Sequence, residues 1–244
     1  MRLYGLIGYP LGHSFSKKYF SEKFENENIP DCRFENFEIE DIGSFKLILK
    51  KKPDLLGCSV TIPHKEKIIP YLEFVSPEAT EIGAVNCIKV SNGKASGYNT
   101  DWIGLGNSIK PLLQPSHKKA LILGTGGAAK AVFYALKKLG LLVKFVSRKP
   151  GNGCLLYDQI TRATISEYTV VVNCTPLGMP PYEGRFPLIP YQFASTDHIF
   201  YDLTYNPEKT AFLRRGEENG AVIKNGLEML YLQAEAAWGI WNAD

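Results

Sequence analysis

Ala120-Leu121-Ile122-Leu123-Gly124-Thr125-Gly126-Gly127-Ala128-Ala129 decides the fold. Four apolar residues of strand length enter a glycine turn. From Ala128 to Leu139 the chain then places Val132, Leu136 and Leu139 on one helical face. In that context, Gly124, Gly126 and Ala129 have the spacing of a dinucleotide-binding turn. Gly124 permits the tight bend, Gly126 lets backbone N–H groups approach a pyrophosphate, and Ala129 is small where helix meets strand. The helix start, Gly127 and Ala128, adds positive potential for the phosphates. Gly140 fits a left-handed cap at the other end.

Outward from this turn, the next strand runs from Val143 and ends in Ser147-Arg148-Lys149. NAD-binding members of this fold place a carboxylate there for the ribose hydroxyls. Here the position is basic. Arg148 can grip a 2′-phosphate and stack beside adenine, while Ser147 and Lys149 add donors, so NADP is expected rather than NAD. Thr169–Asn173, His198–Asp202 and Ala221–Ile223 are further strand candidates. Strands alternating with helices imply a mostly parallel sheet covered on both faces.

The first hundred residues alternate as well. Leu3–Ile7 and Leu55–Thr61 fit strands, while Lys17–Asn28 (with Phe20 and Phe24 one turn apart) and Ile42–Leu49 fit helices. Pro63 is expected to open a short helix through Tyr71. Val85–Val90 and Lys94–Tyr98 flank Asn92-Gly93, a hairpin signal. Asp101–Ile109 fits a helix leaving that hairpin. At the far end Leu227, Leu230, Tyr231, Ala234, Ala237, Trp238 and Trp241 form one helical stripe that needs a partner surface.

Composition narrows the classes. The 244 residues are 45% hydrophobic and 22% charged, and the net charge of +3 is spread thinly. That argues against nucleic acid or a membrane surface as partner and suits a small anionic ligand. No stretch approaches the roughly 18 apolar residues of a membrane span, and Met1–Tyr9 lacks the apolar run of a signal peptide. Five cysteines, with no Cys-x-x-Cys pair, argue against a disulfide scaffold or a metal site and for reduced thiols in the cytoplasm.

Polar residues gather at strand-to-helix corners. Gly12-His13-Ser14-Phe15-Ser16 carries two hydroxyls that can receive a carboxylate or cap a helix. Val60-Thr61-Ile62-Pro63-His64-Lys65 carries a lysine that is either a solvated helix residue or an acid–base group. Asn86 lies among apolar neighbours and needs partners. Asn99-Thr100-Asp101 ends in a carboxylate that is either a helix cap or a catalytic group. In an open α/β sheet such corners gather at the carboxyl edge, where ligands bind.

These motifs, in this order and spacing, resemble the shikimate dehydrogenase family. So do Gly83-Ala84-Val85-Asn86, Asn173-Cys174-Thr175-Pro176, Tyr201-Asp202 with Tyr205, and Gly226-Leu227 with Met229 and Gln233. The resemblance implies an α/β protein of two domains. One, 1–100 plus 226–244, is an α/β substrate domain with a mixed sheet; the other, 101–225, is a doubly wound, Rossmann-like NADP domain. It implies NADPH-dependent reduction of 3-dehydroshikimate to shikimate in aromatic amino-acid biosynthesis, by a monomer or homodimer. By the same resemblance Ser14 and Ser16 hold the substrate carboxylate with Tyr205 nearby, and Thr61, Asn86 and Gln233 contact ring hydroxyls. Lys65 and Asp101 serve proton transfer, and Thr175 and Gly226 join the nucleotide residues. Two departures stand out. Lys17 occupies a position where the family commonly has proline, and Lys149 to Gly153 lacks the second arginine of the phosphate clasp, which implies a weaker NADP preference. A quinate/shikimate dehydrogenase of broader cofactor use and a non-catalytic dinucleotide sensor stay open as alternatives.

Overall fold

Leu3 and Ile7 enter one buried cluster and Tyr4 and Leu6 another, so β1 (Arg2–Gly8) is buried on both faces in the period of two that strands impose. The computed structural model describes residues 1–12, 15–151 and 153–243. Contacts divide the chain into two units, Met1–Thr100 with Ala234–Asp244, and Asp101–Gln233.

In the first unit β1 is followed by α1 (Phe15–Asn26), β2 (Cys32–Glu38), α2 (Phe45–Lys51), β3 (Leu55–Val60), β4 (Phe74–Val75), α3 (Pro77–Ile82), β5 (Cys87–Ser91) and β6 (Lys94–Tyr98). The sheet order is β2-β1-β3-β5-β6-β4. β2, β1 and β3 are mutually parallel, β5 is antiparallel to both β3 and β6, and β4 is parallel to β6, so the sheet is mixed. The hairpin turns at Asn92 and Gly93, with φ of 52° and 73°, as its two-residue loop requires. α1 lays Phe20 and Phe24 on Tyr4 and Phe34. Trp241 stacks on Tyr4 with ring centroids 5.2 Å apart, and a Cβ on Gly57 would lie 2.4 Å from its ring.

The second unit holds α4 (Asp101–Ile109), β7 (Lys119–Leu123), α5 (Gly127–Lys138), β8 (Leu142–Ser147), β9 (Leu155–Leu156), α6 (Arg162–Glu167), β10 (Val170–Asn173), β11 (Ile199–Asp202), α7 (Ala211–Glu218) and β12 (Val222–Lys224). Its order is β12-β11-β10-β7-β8-β9, parallel throughout. Ala120 and Ile122 face a cluster with Leu105, Val132 and Leu136; Leu121 and Leu123 face another with Ile165, Phe200 and Phe212. Helices therefore cover both faces, as a parallel sheet needs. α8 (Leu227–Asn242) contributes residues to both units.

Two expectations need correction. No α-helix runs from Pro63 to Tyr71: turns lead into a 3-10 segment, Ile69–Tyr71, because Pro70 has no N–H to extend a helical ladder. The terminal stripe is narrower than the pattern suggested, since Leu227 and Tyr231 are exposed while Met229, Ala234, Ala237 and Trp241 are buried. By contacts the division of α8 falls after Gln233, where the sequence reading set its second boundary at 226. Met229 is buried in the cluster of Leu105 and Ile122, and a Cβ on Gly104 would come within 2.6 Å of the Met229 carbonyl oxygen.

Candidate active site

In the second unit every strand ends toward one edge, because all are parallel. β7 leads into Gly124, whose φ of 113° only glycine adopts freely and whose N–H donates to the Val146 carbonyl at 2.9 Å. A Cβ there would meet the Cys174 carbonyl at 3.2 Å, so the turn after β7 lies against the turn after β10. The chain leaves β7 for β8 on one side and later returns to β10 on the other, which makes this the switch point where such sheets bind ligands. Gly126 caps α5, and no atom lies within 4 Å of where its Cβ would stand. Gly126, Gly127 and Ala128 thus form a glycine cradle open enough for a pyrophosphate, which a side chain at 126 would fill.

Ser147 ends β8 and accepts the Lys149 N–H at 3.1 Å; Arg148 and Lys149 are exposed. Burial pushes the Tyr157 phenol up to about 12, against the opposing pull of the Arg148 guanidinium beside it. At the end of β10, Asn173 Oδ1 accepts both the Thr175 N–H, at 3.0 Å, and the Thr175 hydroxyl, at 2.7 Å. Gly226 follows β12, and a Cβ on it would lie 2.1 Å from the Leu203 carbonyl oxygen. Tyr205, half-buried, follows β11, and burial raises its phenol pKa. Asp101, buried, opens α4; one turn later Gly104 lies against Gln233, whose Nε2 donates to the Leu230 carbonyl at 2.9 Å.

In the first unit the parallel strands β1, β2 and β3 also end at a common edge. Thr61 N–H donates to the Ile7 carbonyl and Tyr9 N–H to the Ile62 carbonyl. A Cβ on Gly8 would meet the Thr61 methyl at 2.4 Å, so the two strand ends are in contact. The following turn is anchored by His64, whose Nε2 lies 2.7 Å from the Ile39 carbonyl oxygen after β2. Lys65, half-buried, sits on that turn, and its carbonyl accepts the Val85 N–H at 2.7 Å. Since β5 is antiparallel to β3, Asn86 arrives at the same edge: its carbonyl accepts the Val60 N–H. Its side chain binds Thr100, with Nδ2 donating to Oγ1 at 3.0 Å and Oδ1 accepting the Thr100 N–H at 2.6 Å.

Thr61, Lys65 and Asn86 therefore converge at one edge of the first unit; Ser16, half-buried, lies in the first turn of α1. Ser14 lies outside the described residues. Gly124, Gly126, Gly127, Ala128, Ser147, Arg148, Lys149, Thr175 and Gly226 line the carboxyl edge of the second. Asp101, Tyr205 and Gln233 belong to the second unit too, Gln233 on the other side of the boundary from where the sequence put it. The sequence reading quoted Asn173 and Asp202 within motifs without giving either a role, and it passed over Thr210. Asn173 Nδ2 donates to Asp202 Oδ1 at 3.0 Å, and Thr210 Oγ1 donates to Asp202 Oδ2 at 2.6 Å. The available signal was a polar residue closing each of two apolar runs, Val170-Val171-Val172-Asn173 and Ile199-Phe200-Tyr201-Asp202.

Residues 6–88 match the family model of the shikimate dehydrogenase substrate binding domain. The chain is 36% identical to a shikimate dehydrogenase (NADP(+)) of Clostridium botulinum, across 97% of this chain and 95% of that protein. The chain belongs to the shikimate dehydrogenase family. The crystal structure of shikimate dehydrogenase from Aquifex aeolicus matches it with a TM-score of 0.88 at 35% identity, covering 99% of this chain and 92% of that one. The enzyme of Thermus thermophilus, in complex with NADP(H) and shikimate, matches with a TM-score of 0.88 at 29% identity, covering 99% of this chain and 94% of that one. Shikimate dehydrogenase architecture accounts for both sheets, the mixed one in the substrate-binding unit and the parallel one in the Rossmann-like unit.

Proposed function

We propose that this protein is an NADP-dependent shikimate dehydrogenase, reversibly reducing 3-dehydroshikimate to shikimate on the route to chorismate and the aromatic amino acids. The observation that carries the reading is near-full-length identity of 36% to an NADP(+)-dependent shikimate dehydrogenase. The glycine cradle and the basic end of β8 support the choice of cofactor. When bound, NADPH supplies the hydride.

The protein's own residues bind, orient and move a proton. Lys65 gives a proton to the oxygen of the reduced carbonyl and takes it back in the reverse direction. Asp101 accepts a hydrogen bond from a ring hydroxyl and orients it. Thr61, Asn86 and Gln233 hold the other ring hydroxyls, and Ser14, Ser16 and Tyr205 the carboxylate. Gly124, Gly126, Gly127 and Ala128 receive the pyrophosphate with Thr175 and Gly226 beside it, while Ser147, Arg148 and Lys149 meet the 2′-phosphate. Five free cysteines fit a cytoplasmic enzyme, acting as a monomer or homodimer without nucleic-acid or membrane partners. Among the described residues, no helix is long and apolar enough to cross a membrane.

Initial rates on shikimate and quinate, each with NADP+ and NAD+, test the reading. Shikimate with NADP+ should have the highest kcat/KM. Preference for quinate or NAD+ would instead assign the broader quinate/shikimate dehydrogenase activity. Nucleotide binding without turnover of either substrate would leave a sensor.

A further inference from the structure

We propose that Asp202 is a positioning residue for the nucleotide, acting through the side-chain amide of Asn173 on Thr175. The inference rests on the NADP reading above. The parallel register pairs Asn173 with Asp202, and both are completely buried. An amide has two orientations of nearly equal shape, and its partners choose between them. Asp202 Oδ1 accepts from Asn173 Nδ2 and from the Thr204 N–H, both at 3.0 Å, and Oδ2 accepts from Thr210 Oγ1. This carboxylate is the nearer of two acceptors for Asn173 Nδ2, the Leu177 carbonyl at 3.3 Å being the other, and together they leave Asn173 Oδ1 for the N–H and hydroxyl of Thr175.

Two consequences reach the site. With its proton committed to Asn173, the Thr175 hydroxyl becomes an acceptor, and it takes the Leu177 N–H at 3.3 Å. The adjoining Cys174 carbonyl is the group against which Gly124 packs, so the relay also fixes one wall of the phosphate turn. Without the carboxylate the Asn173 Nδ2 keeps only its longer bond to the Leu177 carbonyl, at 3.3 Å, so the amide is held less firmly and its two contacts to Thr175 loosen with it.

The test is equilibrium titration of wild type, Asp202→Ala and Asp202→Asn with NADP+ and, separately, with shikimate. Asp202→Ala should weaken NADP+ about tenfold or more, a loss of roughly 1.4 kcal/mol, with the shikimate Kd unchanged within about twofold. Asp202→Asn keeps an oxygen for Asn173 Nδ2 and should restore NADP+ binding to within about threefold of wild type. If Asp202→Ala does not fold, Asn173→Ala cuts the same relay and should show the same selective loss. Wild-type NADP+ affinity in the folded alanine variant, or equal loss of both ligands, overturns the relay. A wild type that binds shikimate but no NADP+ overturns the cofactor reading itself and the relay with it.

Discussion

Asn86 grips Thr100 twice, donating from Nδ2 to the hydroxyl and accepting the backbone N–H at 2.6 Å. Thr100 is completely buried, so the bond ties the strand end at Asn86 to the residue just before Asp101. Asn86→Ala should remove both buried hydrogen bonds to Thr100 and cost about 1–3 kcal/mol. Urea unfolding measures it, and a midpoint equal to wild type would mean that Thr100 is held by other means.

Lys65→Ala should lower kcat about 100-fold or more, while the Kd for shikimate shifts little, since a general acid acts mainly in the transition state. Steady-state rates and a binding titration separate the two. A near-normal kcat removes lysine from the proton transfer.

Arg148→Ala should raise the KM for NADP+ about tenfold, the scale of a lost charge-assisted hydrogen bond. The KM for NAD+, which has no 2′-phosphate, should stay within about twofold of wild type. Parallel changes for both nucleotides would detach Arg148 from the phosphate.

Gly226→Ala forces a Cβ to within 2.1 Å of the Leu203 carbonyl oxygen, which belongs to backbone and cannot swing aside. The expected cost is about 1–3 kcal/mol or more. Chemical denaturation should register it, and an unchanged stability would show that the Leu203 backbone yields. On this geometry Gly226 serves close packing whether or not it also touches nucleotide.

Asp202 predicts a pH signature. Burial raises its carboxyl from 3.8 to about 6, although hydrogen bonds from Thr210, Thr204 and Asn173 favour the charged form. Below the unfolded pKa both states hold the proton and the contribution to stability is complete. As pH rises through the window to about 6, the unfolded chain ionises first and stability falls, by roughly 3 kcal/mol for a two-unit shift. Tm of wild type should therefore drop relative to Asp202→Asn between about pH 4 and pH 6. Parallel curves for the two proteins would count against the shift.

The parallel unit was more legible than the mixed one. In Ala120–Leu123 and Val170–Asn173 both faces are buried, so the strands stand out as unbroken apolar runs, and the glycine turn marks their polarity. β2 was not recognised because Cys32-Arg33-Phe34-Glu35-Asn36-Phe37-Glu38 buries Phe34 alone and looks like a polar connection. Its strand character comes from seven register pairs with β1, a property of the neighbour rather than of the segment. Lys65 and Asn86 were visible because lysine and asparagine interrupt apolar context. Asp202 was quoted only as part of a motif, and its partnership with Thr210 escaped notice because it depends on where α7 begins.

The seat of Trp241 on Tyr4 and Gly57 has a consequence for synthesis on the ribosome. Residues 101–233 emerge with every strand of their own sheet, but the first hundred leave the exit tunnel without their last aromatic. Tyr4, Phe20 and Gly57 must wait, uncovered, until the entire following unit has been translated. The nascent chain therefore exposes an oily, unplugged patch for most of its elongation, the kind of surface that chaperones recognise.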